Sequence, residues 1–320
     1  MRKISSAVVA LLLTAGVPAT ATPPPLPWKD AAPQPKALSG GFADAVMAPV
    51  VVNLPGMDGV RFIRNLRYRE TDDPEVRMDL YLPPTPKGPV PIVLFVHGGS
   101  NIHVQPKDWG IYQSWGRLAA ASGMAGVTFT QHLGFPETAI PQAADDIAAA
   151  ATFVRANARE YGLDPRRICI VVYSAGGPML APYLVNAAPW LKCLVGWYPF
   201  MDIRQSSFHR SSETPQTLDA YSNILKLDQP GPKTPLYLVR AGNDQIATLK
   251  DSIDRFTVKA LETDYPLTLA NAPGAPHGFD NQVDSIRTRE IVLGTLQFLR
   301  GRLGLDRAVA PADRGAAGAK

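Results

Sequence analysis

Short rows of consecutive apolar residues recur along the chain and are separated by longer mixed stretches. The clearest row runs from Ile168 to Tyr173. A nearly unbroken apolar row of this length is typical of a strand buried on both faces of a parallel sheet. By the same pattern we predict strands at 91–96, 124–130, 166–173, 190–198, 235–241 and 266–270, with helices at 109–122, 141–161, 176–186, 215–225, 247–261 and 282–303. This alternation predicts an α/β fold with a mostly parallel sheet that is covered by helices on both faces.

Two features modify this pattern. Residues 61–70 and 76–82 indicate strands on either side of the turn Thr71 to Pro74, and a loop this short requires an antiparallel hairpin. The helix predicted at 176–186 contains Pro182, which should kink or shorten it.

The composition predicts four segments along the chain. Residues 1–21 have the form of a signal peptide, with Arg2 and Lys3 before an apolar run and small residues at 19–21 where cleavage after Ala21 is expected. Residues 22–60 form a linker or strap that is rich in proline at its start. A single folded domain would then occupy residues 61–304, and residues 305–320 would be a disordered tail. We therefore expect a secreted or periplasmic protein.

Charge and motif content exclude several classes of protein. The formal net charge of +4 is too small, and the basic residues too scattered, to predict nucleic-acid binding. No later stretch is long and apolar enough for a membrane span. The sequence also lacks a metal-binding spacing, a dinucleotide fingerprint and a phosphate loop, so we expect no metal and no cofactor.

Cys169 and Cys193 are the only cysteines, and both fall in apolar rows assigned to strands. We expect them to be two small buried residues, and a cross-strand disulfide is the alternative that an oxidising compartment would allow.

Chemically useful residues follow four of the predicted parallel strands. Gly98 and Gly99 follow the strand at 91–96, and Ser174 follows the one at 166–173. Asp244 and His277 come after the last two strands. Because ligands bind at the carboxyl ends of parallel strands, a hydroxyl, a carboxylate, an imidazole and bare backbone amides should meet at one edge. The chain order Ser, Asp, His is that of the α/β-hydrolases.

Several motifs strengthen this interpretation. They are D-L-Y-L-P at 79–83, F-V-H-G-G at 95–99, Y-G-L-D-P-R-R-I at 161–168, S-A-G-G at 174–177 and H-G-F-D at 277–280. Together they resemble the α/β-hydrolase carboxylesterases of the hormone-sensitive-lipase and feruloyl-esterase-like (BD-FAE-type) group, over about residues 61–302. Two positions depart from the family pattern: Val172 replaces the first glycine of G-x-S-x-G, and Ser100 replaces a glycine of the H-G-G-G loop.

The resemblance implies a serine ester hydrolase that acts through an acyl-enzyme on a small-molecule ester, without a cofactor. Ser174 would be the nucleophile, His277 the base and Asp244 the acid. The oxyanion hole would be formed by the N–H groups of Gly98, Gly99 and Ala175.

Other interpretations of these residues remain open. Asp244 precedes a predicted helix and could cap it, in which case Asp202 would be the substitute acid. We expect His97 to brace a turn, and we expect the substrate pocket to involve Ser100, Trp109, His132, Tyr198 and Phe279. An amidase or peptidase on the same triad, and a non-catalytic ligand-binding relative, are the alternative functions.

Overall fold

The computed structural model of the chain describes residues 42–71, 73, 75–99, 104–134 and 139–306. Within these ranges the chain forms one eight-stranded sheet. Its strands are β1 (Arg61–Leu66), β2 (Met78–Leu82), β3 (Val90–Val96), β4 (Ala125–Phe129), β5 (Leu163–Tyr173), β6 (Leu191–Trp197), β7 (Leu236–Ala241) and β8 (Leu267–Ala272).

The strands lie in the order β1-β2-β4-β3-β5-β6-β7-β8. β2 is antiparallel to both β1 and β4, and the remaining neighbours are parallel. The predicted mostly parallel sheet and its antiparallel N-terminal hairpin are both confirmed. β5 lies between β3 and β6, and its residues 168–173 are at most 1% exposed, which explains why that row carries no polar side chain.

Helices surround the sheet. They are α1 (Phe42–Met47), α2 (Gly110–Ala121), α3 (Ile140–Ala156), α4 (Ala158–Tyr161), α5 (Ser207–Arg210), α6 (Pro215–Ala220), α7 (Asn223–Lys226), α8 (Ala247–Glu262), α9 (Phe279–Gln282) and α10 (Ile286–Arg302). No helix in the described ranges has both the length and the apolar composition that a bilayer span requires.

Four predicted helices differ in form. The one predicted at 141–161 divides into α3 and α4 at Asn157. The segment after β5 is a 3-10 helix, Ser174–Tyr183, because Pro178 and Pro182 lack the N–H groups that an α-helix would use. The segment predicted at 215–225 divides into α6 and α7. The closing helix begins at Ile286, where the hydroxyl of Ser285 accepts the N–H of Thr288 at 3.1 Å.

The second half of the predicted strap packs into the domain. Val50, Val51 and Val52 are at most 5% exposed and belong to the hydrophobic core. The N–H of Val50 donates to Ser114 Oγ on α2, and the side-chain amide of Asn281 donates to the carbonyl oxygens of Ala45 and Ala48. The signal peptide, the proline-rich residues up to 41 and the tail from 307 onward lie outside the described residues.

Cys169 and Cys193 form a disulfide. They face each other in the register of β5 and β6, with their Cα atoms 4.8 Å apart. Our preferred expectation of two unbridged cysteines is therefore wrong, and the cross-strand alternative is confirmed. The sequence could not decide this, because the bond depends on the register between neighbouring parallel strands.

Candidate active site

Three side chains that are distant in sequence meet at the carboxyl edge of the sheet. His277 Nε2 lies 2.9 Å from Ser174 Oγ, and His277 Nδ1 lies 2.7 Å from Asp244 Oδ2. The Asp244 side chain is 1% exposed and that of His277 is 24% exposed, so the carboxylate is shielded while the imidazole reaches solvent. The structure thus brings together the serine, histidine and aspartate that the sequence predicted, within hydrogen-bonding reach.

Ser174 adopts a left-handed backbone conformation with φ of 49°, directly between β5 and the 3-10 helix. This conformation is costly for a non-glycine residue and is typical of strained functional turns. The carbonyl oxygen of Ser174 accepts the N–H of Phe200 at 3.0 Å, which ties the turn to the loop after β6. The serine is therefore held at a sharp strand-to-helix turn, as predicted.

The crowding around this turn explains why valine is compatible with position 172. A Cβ on Gly176 would lie 2.8 Å from the carbonyl oxygen of His97, and its other nearest neighbours belong to Val96. A Cβ on Gly177 would lie 2.2 Å from the carbonyl oxygen of Phe200. The tight contacts thus come from β3 and from the loop after β6, and Val172 is not among the nearest neighbours of Gly176.

Asp244 does not cap α8, because the N-cap of that helix is Ile246 and no side chain bonds there as a cap. The Oδ1 atom of Asp244 accepts the N–H of Ile246 at 2.8 Å in a turn just before α8, and its Oδ2 faces His277. The helix-capping interpretation is therefore wrong, and Asp244 is the carboxylate beside His277.

Asp202, the substitute acid, is engaged elsewhere. Its Oδ1 accepts from Arg204 Nε at 2.9 Å and from Ser222 Oγ at 3.1 Å. Burial alone would raise the pKa of Asp202, but the hydrogen bonds and charge of Arg204 hold it below its usual range. Asp202 is thus a structural ion-pair residue rather than the partner of His277.

The loop that carries the oxyanion glycines is braced by buried side chains. His97 Nδ1 lies 2.7 Å from the carbonyl oxygen of Gly98, and His97 Nε2 accepts the N–H of Gln131 at 3.2 Å. Complete burial lowers the pKa of His97 to about 4, which keeps the ring neutral with its proton on Nδ1. The bracing role predicted for His97 agrees with this geometry.

The structure differs from the implied oxyanion set at Gly98. Its N–H donates to Tyr112 Oη at 2.9 Å, so this amide is already used by a side chain of α2. A Cβ on Gly99 would lie 3.0 Å from the Cβ of Ala175, which places these two residues side by side next to Ser174. Gly99 and Ala175 are therefore the backbone donors that fit an oxyanion hole best.

The predicted pocket residues lie in different surroundings. Tyr198 and Phe279 are 2% and 0% exposed and lie in the core beneath His277 rather than along an open pocket, which corrects our expectation for both. His132 faces two carboxylates, with Nδ1 2.7 Å from Asp146 and Nε2 3.8 Å from Asp73. Ser100 lies outside the described residues.

Two aromatic residues lie close to the oxyanion loop. Trp109 is partly buried and stacks on Tyr112, with their ring centroids 6.1 Å apart. The ring of Phe208 in α5 would lie 3.8 Å from a Cβ on Gly99. Phe208 is a pocket candidate that the sequence did not reveal, because residues 201–214 follow no readable pattern.

Among the described residues no group of three or more histidine, cysteine or acidic side chains has a metal-binding arrangement.

The chain is similar to known esterases in sequence and in fold. Residues 78–187 match the BD-FAE family model. A probable isoprenylcysteine alpha-carbonyl methylesterase, ICME, of Oryza sativa is 36% identical over 117 residues, which are 37% of this chain and 27% of that protein. Carboxylesterase NlhH of Mycobacterium tuberculosis is 30% identical over 163 residues, which are 48% of each chain. The chain thus spans about a quarter to a half of the length of these curated relatives.

Among solved structures, Esterase B of Lactobacillus rhamnosis superimposes with a TM-score of 0.65. The match covers 78% of this chain and 87% of that one at 16% identity, so it concerns the fold. Together with the sheet topology, it shows that this chain has the α/β-hydrolase fold, and residues 78–187 are similar to the BD-FAE family.

Proposed function

We propose that this protein is a serine carboxylic-ester hydrolase that acts through an acyl-enzyme on a small-molecule ester. The observation that carries this proposal is the hydrogen-bonded series Ser174 Oγ, His277 Nε2, His277 Nδ1 and Asp244 Oδ2, with distances of 2.9 and 2.7 Å. The series starts at a strained turn next to two backbone amides. This is the arrangement that nucleophilic acyl transfer requires.

In the first half-reaction His277 takes the proton of Ser174 while Oγ attacks the carbonyl carbon of the ester. A serine hydroxyl is a weak nucleophile without such a base. The buried carboxylate of Asp244 orients the ring and stabilises its positive charge once the proton has moved. The tetrahedral oxyanion then accepts hydrogen bonds from the N–H groups of Gly99 and Ala175, and one such donor typically contributes about 10²–10³ in rate.

The intermediate collapses when the imidazolium returns its proton to the departing alkoxide, which leaves as the alcohol. The acyl group is then bound to Ser174 Oγ. In the second half-reaction His277 removes a proton from water, and the resulting hydroxide attacks the acyl carbonyl. Collapse breaks the bond to Oγ, releases the carboxylic acid and returns the proton to Ser174.

An ester is favoured over an amide as the substrate by the proteins that this chain resembles. The curated relatives include a protein named carboxylesterase and one named as a probable methylesterase. A serine protease-like amidase would use the same three side chains, so the geometry of the triad alone does not separate the two classes.

The proposal is tested by labelling Ser174 with a fluorophosphonate and by comparing p-nitrophenyl acyl esters with the matching anilides. We expect one labelled serine, identified by peptide mass spectrometry, and turnover of the esters at a much higher rate. Ser174→Ala should abolish labelling, whereas Ser211→Ala, which removes an exposed hydroxyl, should not. Retained ester turnover in Ser174→Ala would contradict the mechanism, and faster turnover of the anilides would favour an amidase.

We also propose that the protein is exported from the cytoplasm. Two observations support this: the basic and apolar pattern of residues 2–21, and the disulfide between Cys169 and Cys193, a bond that is rare in the reducing cytoplasm. N-terminal sequencing of the protein recovered from the periplasm or medium tests this, with Thr22 as the expected first residue. Recovery only from the cytoplasm with residues 1–21 attached would contradict it.

A further inference from the structure

Beneath the catalytic histidine lies a buried carboxylate that the mechanism does not use. Asp280, three residues after His277, is 0% exposed. Its Oδ2 accepts from Trp115 Nε1 at 2.9 Å, and its Oδ1 accepts from Tyr198 Oη at 2.6 Å. In the part of the chain that the structure describes, neither a lysine nor an arginine is within ion-pair distance of it. Burial raises the pKa of Asp280, so an ionised carboxylate at this position costs free energy.

The donor on Oδ1 belongs to a residue with an unusual backbone. Tyr198 has a φ of 39°, in the left-handed region, and its N–H donates to the carbonyl oxygen of Val239 at 2.8 Å. This conformation turns the ring beneath the active site, where its centroid is 4.6 Å from that of the His277 imidazole at an angle of 59°. The Tyr198 ring thus packs directly against the imidazole of His277.

The hydrogen bond from the Tyr198 hydroxyl to Asp280 fixes the position of the Tyr198 ring. Asp280 is itself anchored by Trp115 of α2 and by its backbone, whose carbonyl oxygen accepts the N–H of Val51 at 2.9 Å. The position of Tyr198 is therefore set by a buried carboxylate of α9, which Trp115 and Val51 hold in place directly after His277.

We propose that Tyr198, held in place by the hydrogen bond from its hydroxyl to Asp280, is a positioning residue for the imidazole of His277. Its ring limits rotation of the imidazole, so that Nε2 stays directed at Ser174 while Nδ1 stays on Asp244. Asp280 acts on the reaction through Tyr198 and not through its charge. The inference rests on the proposed function, since it concerns the base of that triad.

Three substitutions separate these contributions. Tyr198→Phe keeps the ring and removes the hydrogen bond that joins it to Asp280. Asp280→Asn removes the charge and keeps both hydrogen bonds, because the Asn carbonyl accepts from Trp115 while its amide donates to Tyr198 Oη. Asp280→Leu removes the charge and both acceptors. Tyr265→Phe is the matched control, since Tyr265 is also buried and its hydroxyl donates to the carbonyl oxygens of Leu184 and Thr234, away from the site.

The experiment measures the rate of fluorophosphonate labelling of Ser174, kcat and KM for p-nitrophenyl acetate, and the melting temperature of each variant. Displacement of a catalytic group by an ångström can cost up to about 10² in rate. We expect Tyr198→Phe and Asp280→Leu to lower kcat and the labelling rate about 10-fold or more, with KM changed less than about 3-fold. Asp280→Asn should lose less than about 3-fold in rate. Tyr265→Phe should lower the melting temperature without slowing labelling.

The outcomes are distinguishable. If wild-type protein is not labelled at all, the proposed function itself fails. If wild-type protein is labelled and Tyr198→Phe is labelled equally fast, the positioning role is wrong. If Asp280→Asn is as slow as Asp280→Leu while Tyr198→Phe is fast, the charge of Asp280 is what matters and the inference is overturned. Should Asp280→Leu fail to fold, Tyr198→Phe and Asp280→Asn decide between these outcomes.

Discussion

The carboxylate of Asp244 lies 2.7 Å from Nδ1 of His277, and it is held there by a second hydrogen bond that its other oxygen accepts from Ile246. The carboxylate beside the imidazole is thus fixed by the backbone of Ile246, immediately before α8, and does not depend on substrate.

We expect Asp244→Asn to lower kcat about 10⁴-fold, because an amide at this position favours the wrong tautomer of the imidazole. Asp202→Asn is the matched control. It removes the ion pair with Arg204 and should reduce stability, while kcat stays within a few-fold of wild type. Steady-state kinetics and thermal melting of both variants check this, and a larger loss of kcat in Asp202→Asn would reverse the assignment of the acid.

The turn after β5 should not tolerate a side chain at Gly176. A Cβ there would lie 2.8 Å from the carbonyl oxygen of His97, so we expect Gly176→Ala to cost more than about 2 kcal/mol and to displace Ser174. Gly301→Ala is the control, because its Cβ would have only the Asp306 carboxylate nearby, at 3.8 Å, in the last turn of α10. That variant should be neutral or more stable by up to about 1 kcal/mol. Urea unfolding compares the two, and equal stabilities would contradict the crowding.

Stability should fall in mildly acidic solution because of two buried histidines. Burial lowers the pKa of His97 and of His209 to about 4 in each case. Between pH 6.5 and 4 the unfolded chain therefore binds more protons than the folded protein. Their contribution to the free energy of unfolding is complete above about pH 6.5 and is lost as the pH drops toward 4.

His209→Gln should make this dependence shallower by up to about 1.4 kcal/mol per pH unit, the effect of one proton. Urea unfolding at pH 7.5, 6 and 5 measures the slope. An unchanged slope in the variant would show that burial does not lower the pKa of His209 in the folded protein.

The disulfide between β5 and β6 should stabilise the fold. It closes a loop with a sequence separation of 24, for which the chain-entropy argument gives about 3.5 kcal/mol. We expect the double variant Cys169→Ala/Cys193→Ala to unfold at a lower guanidinium concentration than wild type by a corresponding amount. Alkylation of denatured wild-type protein provides the control: both cysteines should react only after reduction, and reaction without a reductant would exclude the bridge.

The sequence predicted the features that depend on local patterns and on topology. The apolar row of β5 indicated that this strand lies in the middle of the sheet. The rule that ligands bind at the carboxyl ends of parallel strands predicted that Ser174, Asp244 and His277 meet at one edge. The sequence could not predict which side chains form hydrogen bonds with which backbone groups. The N–H of Gly98 is used by Tyr112, 14 residues away, and only the packing of α2 on the sheet determines that contact.

The same reason explains the buried aromatic residues. Tyr198 follows β6 directly, where pocket residues are common, but its left-handed backbone and its bond to Asp280 direct the ring into the core. Neither the backbone conformation nor the distant carboxylate has a signal in the local sequence.

The contacts of the residues just before β1 determine where a shortened recombinant form can begin. A protein that starts at Arg61 would lack the N–H of Val51 that binds the carbonyl of Asp280, and the carbonyls of Ala45 and Ala48 that receive the amide of Asn281. It would also leave the surface under Val50 and Val52 open to water. An expression boundary ahead of Phe42 keeps these contacts, and two of their partners, Asp280 and Asn281, lie three and four residues after His277.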